Sequence, residues 1–458
     1  MYEQSVIIIL RAVQIPFFKN IKSPHIKKYV SNTGWLFADN FIKQGINLIV
    51  GIFLARYLNP EGFGIIGYAS TYIQLLNPIA LLGLNAIAIK EIVNKEESIE
   101  SILGTTFLLK IISSVFSLFL IVVIAFLGEV DTQIQMYIII IGLSYLVYPI
   151  QVVDYYFQAN LKAKYTVISQ QIATITCAAL KVWGIINQYP IVFFVWLISI
   201  EVFIIAFVQI FFYRTKTIIP KWNFNNNLAK RMLKESFPII FTGFFIIIYM
   251  RIDQLMIQKM LNSEALGNFV AAIKLSEAFY VVPGIIAGSL FPAIINGLKI
   301  SRDEYLSRMK RLYSIFILIC FAATIFVLIF ADIIVSVLFG EAYTDTASVL
   351  RVHFSTSVFV FLGIAYSQAF IVEHMQRFTT INTVVGALLN ICLNWLFIPI
   401  FGVVGSAFAT LAAQFYSGFL CLLLFPKTRV HFILMLQSFN VFSTIAVYYK
   451  KISNLKDE

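Results

Sequence analysis

Apolar runs of about twenty residues recur along the whole chain, a length that matches one helical crossing of a bilayer. Short polar or glycine-containing turns separate them. Twelve runs are legible, near 34–57, 63–89, 103–127, 134–158, 166–187, 190–213, 236–259, 268–296, 312–338, 347–372, 378–399 and 402–425. Each is continuous, whereas the strands of a membrane β-barrel alternate apolar and polar residues in segments of about ten. A weaker run, 431–448, carries Gln437, Ser438 and Asn440 near its middle, so the pattern leaves open whether it spans.

Composition turns this pattern into a class. Of 458 residues, 60% are hydrophobic and 12% charged, against roughly 45–50% and 25% in soluble proteins. Mean hydropathy is +0.86. A soluble chain this apolar could not cover its own surface, and a disordered chain would be polar. The expectation is an all-α integral membrane protein with about 12 transmembrane helices.

Charge then orients it. The formal net charge is +11, and the basic residues are unevenly placed. With a cytoplasmic N-terminus, the inner segments hold 23 Lys/Arg and the outer connections only 2, Arg56 and Lys259. Cytoplasmic connections carry this excess, which makes anionic lipid, not nucleic acid, the counterpart of the charge. The central basic loop divides the chain into a basic or amphipathic tail (1–30), a first six-helix lobe (31–213), a linker (214–235), a second lobe (236–425) and a C-terminal tail or partial extra helix (426–458). The apolar core at 6–10 is too short for a signal peptide. The outer connections are short, the longest near 340–346.

The two halves resemble each other. Leu58-Asn59-Pro60-Glu61-Gly62-Phe63-Gly64 after the first span matches Leu261-Asn262-Ser263-Glu264-Ala265-Leu266-Gly267 after the seventh at four of seven positions, offset by 203 residues, and Ala69 and Ala272 keep the offset. Six helices per half preserve direction, so the repeat is parallel, about an axis along the membrane normal, and leaves a cleft between two lobes that can rock.

These turns, together with Arg251-Ile252-Asp253, Ala271-Ala272-Ile273-Lys274-Leu275-Ser276-Glu277, Phe291-Pro292, Leu338-Phe339-Gly340-Glu341-Ala342-Tyr343 and Ile398-Pro399-Ile400-Phe401-Gly402-Val403-Val404-Gly405-Ser406-Ala407, resemble the bacterial polysaccharide flippases (Wzx type) of the MOP superfamily, over roughly 31–427. The resemblance implies two pseudo-symmetric lobes around a central cavity. It implies a flippase in the bacterial inner membrane that moves an undecaprenyl-diphosphate-linked oligosaccharide, such as an O-antigen repeat unit, from the inner to the outer leaflet. A polysaccharide polymerase and a chain-length regulator are implied partners. A cation-coupled multidrug exporter shares the fold and is the alternative. A membrane polysaccharide polymerase or glycosyltransferase would be expected to carry its catalytic groups in a long outer loop, and the outer connections are short.

Ionisable groups at membrane depth cost at least about 2.5–3.5 kcal/mol each and point to function by default. Phosphate oxygens call for cations, and Lys43, Lys110, Arg251 and Lys274 are the candidates. Asp39, Glu201, Asp253 and Glu277 are candidate carriers of a coupling proton or sodium ion. Asn40, Asn47, Asn390 and Gln414 are candidate polar lining for sugars. Each has a structural alternative. Asp39 and Lys43, spaced i,i+4, could pair on their own helix, as could Lys274 and Glu277 at i,i+3. Lys110 and Lys181 could snorkel. Glu201, isolated in its span, and the span-eleven and span-twelve amides could make ordinary interhelical bonds.

Other motifs fall away. Gly62-Phe63-Gly64-Ile65-Ile66-Gly67 fits G-x-G-x-x-G but lacks a preceding strand. Cys177, Cys320, Cys392 and Cys421 stand singly, and the four histidines form no metal motif. No Walker A sequence is present. Neither catalysis, nor a cofactor, nor a metal site is expected.

Overall fold

The computed structural model describes residues 24–128, 131–216 and 221–440. Among them every regular element is helical. In chain order these are α1 (Pro24–Leu81), α2 (Leu84–Asn94), α3 (Ile99–Leu127), α4 (Thr132–Gly142), α5 (Val152–Ala159), α6 (Ala163–Ile186), α7 (Ile191–Lys216) and α8 (Asn226–Met260). There follow α9 (Ser263–Phe279), α10 (Val281–Ile300), α11 (Arg302–Leu338), α12 (Thr346–Phe354), α13 (Ser357–Val372), α14 (Gln376–Gly418) and α15 (Arg429–Ser438).

Nine helical stretches among the described residues are long and apolar enough to cross a membrane. Two of them are too long for one crossing. Gly34–Asn94 has 61 residues and breaks at Asn59, whose φ is 56°. With ψ at 173° its backbone is extended at positive φ, which breaks the helix, and Pro60 behind it starts a new helix without missing its N–H. Gln376–Leu423 has 48 residues and breaks at Gly402, where φ is 59°. Only glycine adopts such a turn freely. The less apolar α6 supplies the remaining crossing, which gives the expected twelve.

The second break folds α14 into a hairpin. Ser406 donates to Asn394 Oδ1 at 2.6 Å, and Asn390 donates to Thr410 at 3.4 Å. Gly405 lies against the Phe397 carbonyl, with no room for a Cβ. Lipid gives no hydrophobic push between helices, so close backbone approach and buried amides hold such legs together.

The cores give the molecule a V shape. At the end bearing the repeated turns, one core takes residues from both halves, among them Ile66, Ala69, Ile257, Phe269 and Ala272. At the opposite, basic end each half has its own. Leu84, Ile102 and Val152 centre the first, and Tyr305, Phe316 and Phe361 the second. On one flank α8 bridges the basic end. It begins ten residues before the expected span, at an Asn225 cap that accepts from the N–H groups of Asn227 and Leu228. Its Leu228 and Met232 join the N-terminal core, and Arg231 and Glu235 pair with Glu91 and Lys90 at 2.8 and 3.0 Å.

The tail expected at 1–30 lies mostly outside the described residues, as does 441–448 of the weaker run 431–448. Residues 431–438 of that run belong to α15, ten residues that are half a crossing long and pack on the basic end of α11, where Lys310 reaches Gln437 at 3.0 Å.

Gly405→Val tests the hairpin. The branched side chain would force the legs of α14 apart, so the variant should lose the sharp monodisperse peak in detergent gel filtration, whereas Gly45→Val, where nothing lies within 4 Å, should keep it.

Candidate functional site

The apex of the V is built on the internal repeat. The second leg of α1 crosses α9 so closely that a Cβ on Gly64 would collide with the Ser263 carbonyl, and one on Gly267 with the Pro60 carbonyl. Each contact is the other displaced by the 203-residue offset. Gly67 faces Val270, its own counterpart, with 3.8 Å from an added Cβ to the valine Cβ. One level further in, Thr71 donates to Gln254 Oε1 at 2.8 Å, while Lys274 lies against Gly51, again the same contact repeated. The pseudo-two-fold axis therefore runs between these helices. Tyr343 caps the apex by donating to the Ala55 carbonyl at 2.7 Å.

Just inside lies a cavity of about 220 Å³ between the lobes. Phe63, Ser70 and Gln74 line it from α1; Arg251, Lys274 and Glu277 line it from α8 and α9. Arg251 and Glu277 form a two-pronged ion pair, at 2.9 and 3.1 Å. Glu277 thus serves a residue on another helix, in place of the expected pairing with Lys274. Lys274 has no carboxylate within 4 Å among the described residues; its Nζ sits 5.3 Å from the centre of the Phe63 ring. Asn40, Gln44 and Asn47 share the helix face of Gly51 at 4- and 3-residue steps and run from this cavity toward the basic end. Asn40 is exposed and Asn47 half-buried.

The other candidates lie elsewhere. Asp39 is buried against α6, where Gln171 donates to it at 2.6 Å; Lys43 acts on it only through space, with no ion pair within 4 Å. Lys43 lines a second cavity, of about 230 Å³, wholly within the first lobe, with Tyr148, Gln151, Asp154 and Gln209. Lys110 does not snorkel. It is fully buried and donates to Gln151 at 2.7 Å and Tyr155 at 2.8 Å. It therefore stands apart from Arg251 and Lys274, and the four cations do not share one chamber.

Glu201 is not isolated: Lys181 approaches it at 3.8 Å and Thr174 donates to it at 3.1 Å. Asp253 is buried, accepting the N–H of Gln254 at 2.7 Å. Asn390 is sealed inside the α14 hairpin, and Gln414 is half-buried on its second leg, outside the interlobe lining.

Sequence reasoning missed Gln254 and the Asp154 cluster. Asp154 accepts from Thr166 at 2.6 Å and Gln158 at 2.9 Å. Pro149, which has no N–H to give the helix, lies in a 3₁₀ stretch at Leu143–Gln151 that tightens the span and turns Gln151, Asp154 and Tyr155 inward. An acid four residues from the end of a run was the available signal.

With this geometry in place, comparison with known proteins settles the class. The family described as "Polysaccharide biosynthesis protein" matches residues 29–298, more than half of the chain, and the chain belongs to it. A curated relative from Escherichia coli (strain K12), named "Putative O-antigen transporter", is 21% identical over 388 residues, 81% of this chain and 92% of that protein. Among solved structures, the fold is similar to that of a lipid II flippase MurJ in an inward closed conformation, with TM-score 0.71, 14% identity and coverage of 90% and 92% of the two chains. It is also similar to an inward-facing MATE-family multidrug resistance transporter of the MOP superfamily, with TM-score 0.65, 13% identity and coverage of 88% and 96%. The chain is an all-α, multi-pass membrane protein with a MurJ- and MATE-like fold, and its family and fold point to transport.

The apex can be tested by locking it. The 3.8 Å between Gly67 and Val270 Cβ positions suits a disulfide, and Gly67→Cys with Val270→Cys removes the valine methyl that would crowd it. In a background without the four native cysteines, mild oxidation should cross-link the halves, read as a mobility shift after cleavage in the linker. Reductant should reverse it.

Proposed function

We propose that the chain is a flippase that carries an undecaprenyl-diphosphate-linked oligosaccharide across the bacterial inner membrane by alternating access, with its N-terminus in the cytoplasm. The observation that carries this reading is the cavity on the pseudo-two-fold axis, where Arg251 and Lys274 converge near the apex of a V. A diphosphate needs cations there. A guanidinium can hold two of its oxygens at once, and an unpaired ammonium adds charge without fixed geometry. A cationic drug would be repelled by the same pair, which favours a lipid-linked anion over a multidrug cargo.

The mechanism follows from the shape. With the apex shut and the basic end splayed, the head group enters from the cytoplasmic side along the Asn40–Asn47 face of α1. On the flank between α1 and α10, a Cβ added at Gly34, Gly45 or Gly284 would meet no neighbouring element within 4 Å among the described residues, so a prenyl chain can stay in lipid while the sugars pass. Outward opening parts Gly64 from Ser263 and Gly267 from Pro60. Arg251 leaves Glu277 for the incoming phosphate, and the freed carboxylate is a natural place for a coupling proton or sodium ion. The product is handed to a polysaccharide polymerase and chain-length regulator at the outer surface.

Arg251→Ala and Lys274→Ala should each abolish complementation of surface polysaccharide in a flippase-deficient strain while protein remains in the membrane; full activity from both would remove the anion-binding argument. Thiol labelling along 36–51 should find cysteines at positions 40, 44 and 47 accessible to a water-soluble reagent and position 39 protected. Uniform protection would place that face in lipid and contradict the entry path.

A further inference from the structure

A third cavity, of about 480 Å³, has no part in the transport path described above. It lies at the basic end of the second lobe, where the end of α10, the start of α11, the α13–α14 turn and the connection after α14 meet. Arg302, Arg377 and Lys427 converge on it from three separate segments. None has a carboxylate within 4 Å among the described residues.

The one acid in the wall, Glu373, is already committed. It accepts from Tyr305 at 3.0 Å and from His431 Nε2 at 3.0 Å, while His431 Nδ1 shares a hydrogen bond with the Tyr313 hydroxyl at 2.8 Å. Burial pushes the Glu373 carboxyl up, but the bond from His431, the charge of His431, the Tyr305 bond and the Arg302 charge together hold it below the usual carboxylate range. The wall therefore offers three cations and a single, occupied carboxylate.

The surroundings say what kind of anion. Arg377 is steadied over the Phe378 ring, 4.9 Å from its centre. Leu298 lines the pocket, and beyond the rim Ile300 and Leu424 are exposed large apolar side chains. Cations over a cavity with an oily border match a lipid head group seated at the level of its own leaflet.

We propose that this pocket holds the phosphate of an anionic phospholipid from the leaflet facing the basic end. The two guanidiniums bind phosphate oxygens in pairs and Lys427 neutralises the remaining charge. All the elements joined belong to the second lobe, so the lipid stiffens that lobe without bridging the cleft.

The test uses the purified full chain in detergent, with thermal unfolding followed by tryptophan fluorescence. Phosphatidylglycerol should raise the midpoint where phosphatidylcholine does not. In Arg302→Gln/Arg377→Gln/Lys427→Gln its apparent affinity should fall about tenfold or more, the scale of one lost charged pair. An equal response of native chain and triple variant overturns the proposal. Stabilisation by inorganic phosphate alone, with phosphatidylglycerol inert, overturns the lipid source. A shift with farnesyl diphosphate alone assigns the pocket to the cargo and overturns it equally. Should the triple variant not fold, Arg377→Gln and Lys427→Gln singly, compared by phosphatidylglycerol retained in native mass spectra, decide the matter, and unchanged retention counts against the site.

Discussion

The two halves of the molecule meet where two stretches of bare backbone cross. Where the second leg of α1 crosses α9, Gly64 and Gly267 present no side chain, and the carbonyls of Ser263 and Pro60 fill the space. In a bilayer, apolar side chains gain little by leaving lipid for one another, so helices associate through tight packing and polar links. The apex satisfies both conditions: glycine permits the approach, and the Thr71–Gln254 and Tyr343–Ala55 bonds fix it. Everything else follows from this crossing. It makes one core of two halves at one end, leaves separate cores at the other, and so creates the cleft.

The charges at membrane depth divide by how fully they are satisfied. Lys110 has neutral oxygen acceptors at hydrogen-bond distance and no exposure. Such a group is expensive to bury and is tolerated because two of its three donors are met. Arg251 and Glu277 are paired yet partly accessible, with side chains 18% and 26% exposed. Lys274 borders the same cavity with no counter-ion at contact distance among the described residues. Lys110 is therefore held as structure, and the interlobe cavity holds groups able to change partners.

How much of this was legible in the sequence depended on range. The twelve runs, the basic end and the repeated turn could be read because each leaves a local mark: apolar length, lysine placement, a glycine forced by close approach. Partners could not. Arg251 meets Glu277 on the following helix, and Lys181 meets Glu201 on another, and helix rotation decides such pairs, which spacing within one run does not reveal. The isolated look of Glu201 and the tempting Lys274–Glu277 step were artefacts of reading one helix at a time. The start of α8 ran past its apolar stretch because a cap and an amphipathic first turn extend it beyond the membrane. Asp154 was overlooked because a short 3₁₀ stretch, invisible to hydropathy, carries it inside.

The repeat is geometrically faithful and chemically uneven. Where the second lobe sets Lys274 against Gly51, the first sets Thr71 against Gln254. Both sides of the axis have the same contact, but one brings an ammonium and the other a hydroxyl. An anionic head group of the kind proposed would therefore settle off-centre, nearer the second bundle. If the lobes rock as proposed, that bundle would be the bearer and the first the wall that slides past it, so two halves of common shape would divide the labour unequally.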